Sequence, residues 1–205
     1  MTLFNHIQEV HARTEGWCSW QKAETLSSIV LALRPALCVE IGVWYGRSLF
    51  PVAQALQHVG SGKVLAIDPW LAGCSVAGQV NQADVEWWNR QSIHEDAYKG
   101  FLAGVERLQL KPFVDVHRMH SDEYDPEQRI GLLSVDGNHG VQAIKDMQRY
   151  APAVERGGFL VADDIQWSGG AVEQAVNGLG GLGFIHLYTV DDKQSQNKWP
   201  VFQRA

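Results

Sequence analysis

Short apolar runs alternate with longer segments of helical spacing along most of this chain. Five runs rich in Val, Ile and Leu have the length of buried strands: 36–41, 63–67, 113–116, 130–135 and 158–162. The segments between them repeat apolar residues every three or four positions: 23–33, 49–58, 96–108 and 141–154. Alternating strands and helices form βαβ units, and continuously apolar strands indicate burial on both faces. The pattern therefore predicts a Rossmann-like, doubly wound α/β fold.

The two ends of the chain extend this pattern. Residues 1–34 contain two helical segments before the first strand, and a helical stretch follows the fifth strand at 171–179. Strand candidates at 184–190 and 199–204, joined by the loop 191–198, then predict an antiparallel hairpin at the C-terminal edge of the sheet. We expect a seven-stranded, mostly parallel sheet in a single domain spanning 1–205.

Charge and composition exclude several kinds of binding partner. The net charge of -6 and the absence of a Lys/Arg run argue against nucleic acid binding, which needs a basic surface. No stretch reaches the roughly 20 apolar residues of a membrane span, and the N-terminus lacks a secretory apolar region. The three cysteines are far apart and lack CxxC spacing, which indicates a reducing, cytoplasmic environment. A small-molecule partner is expected, and a homodimer is compatible with the sheet edge.

A glycine loop, residues 42–48, follows the first predicted strand. Gly42 and Gly46 allow a tight turn and a close approach of a ligand to the backbone, and Ser48 is placed to cap the next helix. The spacing is GxxxG, which is neither the GxGxxG of dinucleotide sites nor a P-loop. In open α/β sheets, ligands bind beyond the carboxyl ends of the strands, where this loop lies. A plain strand–helix turn is the alternative interpretation.

Two acids beside this loop indicate the kind of ligand. Asp68 ends the second strand about 20 residues after the glycines, where a carboxylate can bind the hydroxyls of a ribose. An ordinary turn residue before Pro69 is the alternative for Asp68. Glu40 adds negative charge, which favours a cationic ligand and disfavours a pyrophosphate. The pattern predicts an adenosine site without a phosphate cradle, and S-adenosylmethionine has the matching chemistry.

The sequence resembles the class I S-adenosylmethionine-dependent methyltransferases from about Glu15 to Asp164. The resemblance rests on four stretches: ExGxxxGxS at 40–48, IDPW at 67–70, DGNH at 136–139, and the glycine pair and acid pair within 157–164. It implies a cofactor site running from the methionine end through the ribose to the adenine, formed by Glu40, Gly42, Gly46, Ser48, Asp68, His120 and Ser121.

An acidic cluster is expected at the ends of the fourth and fifth strands. Asp136 ends one strand and the pair Asp163 and Asp164 ends its neighbour, about 5 Å away in a sheet. Three carboxylates repel one another unless a cation or bound protons relieve them, and oxygen ligands suit Mg²⁺. The alternatives are a turn role for Asp136 and a helix cap for Asp164.

This cluster is similar to that of the metal-dependent small-molecule O-methyltransferases, of the catechol, macrolide-sugar and cephalosporin-hydroxylase types. The resemblance implies that Asp136, Asp163 and Asp164 hold Mg²⁺ and that His139 is the catalytic base. A metal-bound hydroxyl of the acceptor would lose its proton to His139, and the oxyanion would attack the sulfonium methyl group. The expected acceptor is a small polyhydroxylated molecule, such as a sugar or a natural product.

Two other functions and one structural question stay open at this point. A nicotinamide-dependent oxidoreductase would share the fold, but this sequence lacks the GxGxxG motif of such enzymes. A non-catalytic subunit that binds S-adenosylmethionine would need no catalytic base. The chain has eight tryptophans, either packed in the core or forming an aromatic wall at the strand ends, as at Trp44, Trp70 and Trp167. The long connection 70–95, which contains Trp87 and Trp88, is predicted to be a lid over the acceptor.

Overall fold

The sheet is built as the alternating pattern predicts. The computed structural model describes residues 2–76, 81–167, 169–193 and 197–205. Its strands are β1 Leu37–Ile41, β2 Lys63–Ile67, β3 Val114–His117, β4 Ile130–Val135, β5 Val154–Ala162, β6 Phe184–Asp192 and β7 Asn197–Arg204. They form one seven-stranded sheet in the order β3-β2-β1-β4-β5-β7-β6, with β1 to β5 parallel and β7 antiparallel to both neighbours. The predicted Rossmann-like fold is confirmed.

Helices cover both faces of this sheet. The α-helices are α1 Leu3–Arg13, α2 Trp20–Leu33, α3 Leu49–Val59, α4 Gln82–Trp88, α5 Gln91–Arg107, α6 Val141–Tyr150 and α7 Ala171–Asn177. One core lies between the sheet and α2, α3 and α5, and the other between the sheet and α6 and α7. Neighbouring strand residues alternate between them, since Cys38 packs in the first core and Val39 in the second. No helix of the described part of the chain is long and apolar enough to cross a bilayer.

Several predicted boundaries differ from the structure; α5, for example, begins at Gln91 and not at residue 96. The helix predicted over 141–154 ends at Tyr150, because Pro152 lacks the N–H that a continuing helix needs, and a short 3₁₀ turn follows at Ala151–Ala153. Strand β5 therefore begins at Val154, earlier than predicted, with a register shift opposite β4. The C-terminal hairpin is longer than predicted, because β6 and β7 remain paired as far as Asp192 and Asn197.

The connection predicted to be a lid contains turns over 72–76, helix α4 and the first turn of α5. Residues 77–80 of this connection lie outside the described part of the chain. The Cys74 carbonyl accepts a hydrogen bond from Asn138 Nδ2 at 2.8 Å, so the connection crosses the carboxyl end of β4. It is therefore in the place that a cover over the acceptor site requires, and its function as a lid stays a prediction.

Candidate active site

The glycine loop lies directly against the loop that follows β4. Gly42 has a φ of +84°, and a Cβ atom there would lie 2.2 Å from the carbonyl oxygen of Asp136. Gly46 has a φ of +87°, and its Cβ atom would lie 2.8 Å from the ring of Phe101 on α5. Both positions need a left-handed backbone and no side chain, which only glycine supplies. The spacing therefore reflects close packing at the switch point of the sheet as well as room for a ligand.

Asp68 fastens this loop to the end of β2. Its Oδ2 atom accepts backbone N–H groups of Val43 and Trp44 at 2.8 and 3.0 Å, and Oδ1 accepts that of Trp70 at 2.7 Å. Burial raises the pKa of Asp68, and these three N–H groups oppose the rise. Each carboxylate oxygen has two lone pairs, so Oδ1 retains one for a further donor such as a ribose hydroxyl. The structure thus brings together the acid and the glycines that the sequence pairs.

Glu40 is buried on β1 with one oxygen unused. Its Oε1 atom accepts the Ser48 hydroxyl at 2.7 Å, and Oε2 is buried without a hydrogen-bond partner among the described residues. Burial raises the pKa of Glu40 to about 7, although the bond from Ser48 acts in the opposite direction. The prediction that Ser48 caps α3 is wrong, because its backbone is helical and its hydroxyl is turned to Glu40. A buried carboxylate oxygen without a donor fits a cationic N–H group.

His120 and Ser121, predicted to approach the adenine, face different surroundings. The His120 side chain is exposed beyond β3, and its Nε2 atom lies 3.9 Å from the Cys74 sulfur. The Ser121 hydroxyl is buried and donates to Asp146 of α6 at 2.6 Å. The Ser121 side chain therefore belongs to a hydrogen-bond network beneath α6. Contact of either residue with adenine stays a prediction, and His120 is the more accessible of the two.

The acidic cluster contains a cation that sequence reasoning missed. Lys22 of α2 reaches the carboxyl ends of β4 and β5, where Nζ lies 2.7 Å from Oδ2 of Asp136 and 2.7 Å from Oδ2 of Asp163. The second oxygen of Asp163 accepts the side-chain amide of Asn197 at 2.7 Å. Lys22 is 2% exposed, and Asp163 is also buried. The acids are thus held by side chains from the first helices and from the last strand.

The sequence does contain a signal for Lys22. It lies four residues before Leu26 and eight before Val30, both of which are fully buried on the inner face of α2. A lysine that continues an apolar stripe of helical spacing is expected to be buried, and a buried lysine needs an anionic partner. The sequence could therefore have predicted that Lys22 is buried beside an acid, but not which acid it meets.

The charges of this cluster support one another. Burial alone would lower the pKa of Lys22, but Asp136 and Asp163 outweigh it and hold the ammonium pKa well above its usual range. Burial also opposes ionisation of Asp163, yet Lys22 and the hydrogen bonds to the carboxylate lower its pKa. Burial and the neighbouring Asp163 raise the pKa of Asp136. Lys22 is therefore charged, and Asp163 is its firmest ionised partner.

His139 and Asp164 form a separate pair beside this cluster. His139 Nε2 lies 2.8 Å from Asp164 Oδ2, an ion-pair distance without the alignment of a hydrogen bond. The imidazole stacks on Trp167, with ring centroids 4.7 Å apart and an interplanar angle of 26°. A carboxylate and an aromatic ring that together fix an imidazole are the supports that a general base needs. Asp164 and Trp167 hold the His139 ring in this way, and its role as the base stays a prediction.

The three predicted magnesium ligands do not form one available site. The Lys22 ammonium group lies against Oδ2 of both Asp136 and Asp163, where it would repel a divalent ion, and Asn197 donates to the other oxygen of Asp163. Within the described ranges, the group with ligand atoms inside 4.8 Å is instead Asp136, His139 and Asp164. An imidazole suits transition ions better than Mg²⁺, which prefers oxygen. With Lys22 in place, the predicted trio therefore does not fit Mg²⁺.

An aromatic cluster borders the glycine loop. Trp44 of the loop has its ring centroid 6.0 Å from Trp17, 5.8 Å from Trp87 and 5.1 Å from Trp88, and Trp17 is 63% exposed. Trp70, in contrast, is fully buried against α5, so the core-packing alternative holds for this tryptophan. Trp44 and Trp167 do lie beside the predicted site residues.

Most of the sheet and both sides of the site lie within a region shared with a known protein family. The family model for a methyltransferase domain matches residues 39–165, which is more than half of the chain. The chain therefore belongs to this family of methyltransferase domains, and the predicted enzyme class is confirmed. The matched span contains the glycine loop and all the acids described above, whereas Lys22 and Asn197 lie outside it. A comparison with curated protein sequences finds no match.

Solved structures share the fold at low identity. The O-methyltransferase NovP has a TM-score of 0.71 at 16% identity, over 91% of this chain and 81% of that chain. The O-methyltransferase TomG from Streptomyces achromogenes, solved in complex with S-adenosylmethionine, has a TM-score of 0.66 at 11% identity, over 100% and 90%. An rRNA methylase from Streptococcus thermophilus has a TM-score of 0.59 at 13% identity, over 87% and 93%. These likenesses establish the fold and leave the acceptor to be argued from the site.

Proposed function

We propose that this chain transfers a methyl group from S-adenosylmethionine to a hydroxyl group of a small polyhydroxylated acceptor, such as a sugar or a natural product. The observation that carries the proposal is the unpartnered Oε2 atom of Glu40, buried beside the glycine loop. S-adenosylmethionine brings an ammonium group and a sulfonium, so it supplies the positive charge that this oxygen lacks. The O-methyltransferases NovP and TomG, which share the fold, support the same chemistry.

The cofactor would lie across the ends of β1 and β2. Glu40 receives the ammonium group, and Oδ1 of Asp68 receives one ribose hydroxyl with its remaining lone pair. The N–H bonds that Asp68 accepts from Val43 and Trp44 fix the loop before the ligand arrives. A preformed loop loses little conformational entropy when the cofactor binds. Binding and loop order therefore depend on the same carboxylate.

The acceptor would meet the cofactor at the ends of β4 and β5. His139 takes the proton of the acceptor hydroxyl, and Asp164, 2.8 Å away, stabilises the resulting imidazolium. The acceptor oxygen then forms a bond to the methyl carbon while the carbon–sulfur bond breaks. The electron pair of that bond stays on sulfur, which yields neutral S-adenosylhomocysteine. Holding both reactants in line supplies most of the acceleration for such a transfer.

A small acceptor fits the charge of the chain better than RNA does. The net charge is -6, and the acceptor side of the site carries Asp136 and Asp164 with both side chains partly accessible. A polyanionic backbone would be repelled there, whereas hydroxyl groups can donate to carboxylates. Asp136 is the member of the Lys22 ion pairs that an acceptor can reach, since 22% of its side chain is exposed.

A second candidate mechanism uses a divalent cation, in place of a general base, to activate the acceptor hydroxyl. The observation that favours it is the group Asp136, His139 and Asp164, whose ligand atoms lie within 4.8 Å of one another. These three residues would hold the ion, and it would polarise the acceptor hydroxyl. His139 would then be a ligand instead of the base, so the two arrangements exclude each other.

The test is methyl transfer from S-adenosylmethionine carrying a labelled methyl group to a panel of polyhydroxylated acceptors. His139→Ala should lower the rate at least about 100-fold, as expected for loss of a general base. His58→Ala, an exposed histidine on α3, is the matched control and should keep the full rate. An unchanged rate in His139→Ala would show that His139 is not the general base. No transfer, with turnover of NAD(P)H instead, would favour the oxidoreductase. Retention of the biological role in both Asp136→Ala and His139→Ala would favour a non-catalytic subunit.

A further inference from the structure

Lys22 occupies an unfavourable place for a lysine. It is the third residue of α2, after the N-cap Ser19, whose hydroxyl oxygen accepts the Lys22 backbone N–H at 3.2 Å. A cation in the first turn of a helix opposes the helix dipole, and a buried ammonium group loses its hydration. An apolar residue there would avoid both costs. Local rules broken together at one position, beside reactive groups, indicate a functional requirement.

The segment that carries Lys22 is held in place by the glycine loop. Arg47 of that loop donates from Nη1 to the carbonyl oxygens of Thr14 and Gly16, at 3.0 and 3.2 Å. The chain then enters α2 four residues after Gly16, and Lys22 lies two residues into that helix. The ammonium group of Lys22 is thus positioned from the cofactor side of the site, while its two partners belong to the acceptor side.

We propose that Lys22 is the resident cation of the acidic cluster and takes the position that a divalent ion would occupy between Asp136 and Asp163. Its Nζ atom lies at 2.7 Å from both carboxylates, and Asn197 takes the remaining oxygen of Asp163. A divalent ion on the same oxygens would lie within a few ångströms of the ammonium group and be repelled by it. The position of Lys22 in the cluster does not depend on the proposed function; only the role of its charge in methyl transfer rests on that function.

In the proposed reaction Lys22 is a positioning residue. It fixes the Asp136 carboxylate and cancels charge that would otherwise repel the oxyanion forming on the acceptor. The residue acts through Asp136, so its loss should lower kcat while leaving cofactor affinity unchanged. Methyl transfer by the native chain should then need no added divalent ion.

The first test uses Mn²⁺ alone, titrated into EDTA-treated protein and followed by electron paramagnetic resonance. Lys22→Met frees two carboxylates that face each other, so it should bind Mn²⁺ at least about tenfold more tightly than the native chain. Lys22→Arg keeps the charge and should behave as the native chain does. Lys111→Met, which removes an exposed lysine paired with Glu106, should also leave binding unchanged. Equal Mn²⁺ affinity in Lys22→Met and the native chain would overturn the proposal.

A second measurement keeps the proposal falsifiable if Lys22→Met does not fold. The double variant Lys22→Met with Asp163→Asn removes one charge of each sign, so it should fold and transfer methyl groups at least about 100-fold more slowly than the native chain. The native chain after EDTA treatment should keep its rate when Mg²⁺ is added back. Mg²⁺-dependent recovery of a lost rate, or full activity in the double variant, would overturn the role of Lys22. Failure to bind S-adenosylhomocysteine would remove the proposed function, while the Mn²⁺ comparison would still decide whether Lys22 holds the position of the ion.

Discussion

The two halves of the sheet's carboxyl edge are built in different ways. On the cofactor side, Asp68 is held by two backbone N–H groups of the loop that follows the neighbouring strand and by the backbone N–H of Trp70. On the acceptor side, Asp163 is held by side chains from the two ends of the sequence, Lys22 and Asn197. The first half is thus a local motif fixed by the backbone, and the second is an assembly of distant side chains. Substitutions in the two halves should therefore have separable effects.

Gly42 joins the halves, and its replacement should have the largest effect. The new Cβ atom in Gly42→Ala would meet the Asp136 carbonyl oxygen, and its backbone would be strained, so the free energy of unfolding should fall by about 3 kcal/mol or more. Gly60→Ala is the control, because Gly60 has a similar φ of +79° with no atom within 4 Å. It should cost about 1 kcal/mol. Equal losses in urea unfolding would show that the contact between the halves is not tight.

Glu40 should make the stability of the cofactor side depend on pH. Burial raises the pKa of Glu40 from 4.5 to about 7, so the unfolded chain releases this proton first as pH rises. The stability that the protonated form provides is complete below pH 4.5 and is lost as pH rises through 7. Glu40→Gln abolishes this titration, so its free energy of unfolding relative to the native chain should rise by about 2–3 kcal/mol between pH 4.5 and 8. A constant difference across that range would contradict the buried carboxyl.

Asp68 and Asp163 give the most direct contrast between the halves in binding. Asp68→Asn removes the negative charge that accepts hydrogen bonds from the loop and from the ribose. The Kd of S-adenosylhomocysteine should therefore rise about tenfold to a hundredfold. Asp163→Asn should change that Kd less than about threefold, since Lys22 and Asn197 hold it away from the cofactor. Calorimetry measures both values. Similar losses in the two variants would mean that the halves are not independent.

The smallest effect is expected from the aromatic cluster. Replacing Trp87 and Trp88 by alanine removes two rings that pack near Trp44, so the KM of the acceptor should rise about threefold to tenfold. Binding of S-adenosylhomocysteine should stay nearly unchanged if the connection covers the acceptor alone. Equal weakening of both ligands would contradict the lid and would assign these rings to the glycine loop.

This contrast also explains how much the sequence could predict. The fold and the cofactor side follow from local patterns, because apolar runs, glycine spacing and an acid at a strand end are each readable within a few residues. The acceptor side could be predicted only in part. Asp136, Asp163 and Asp164 do gather at one edge, as parallel strands require, but Lys22 lies 114 and 141 residues from its two partners. Only packing reveals a contact of that length.

Ser48 shows the same limit at short range. A serine before a helix predicts a cap, since a free hydroxyl oxygen can accept the N–H groups of the first turn. The buried Glu40 carboxylate competes for that hydroxyl and binds it at 2.7 Å. Which partner takes the hydroxyl depends on the burial of a strand residue eight positions away, and no local rule includes that burial.

Calorimetric titration of S-adenosylhomocysteine into EDTA-treated protein tests the central claim most directly, because it needs neither an acceptor nor a metal. We predict saturable binding at one site in the native chain. Absence of binding heat, with NAD(P)H also giving none, would leave the fold intact and contradict the proposal that the glycine loop, Glu40 and Asp68 form a site for S-adenosylmethionine.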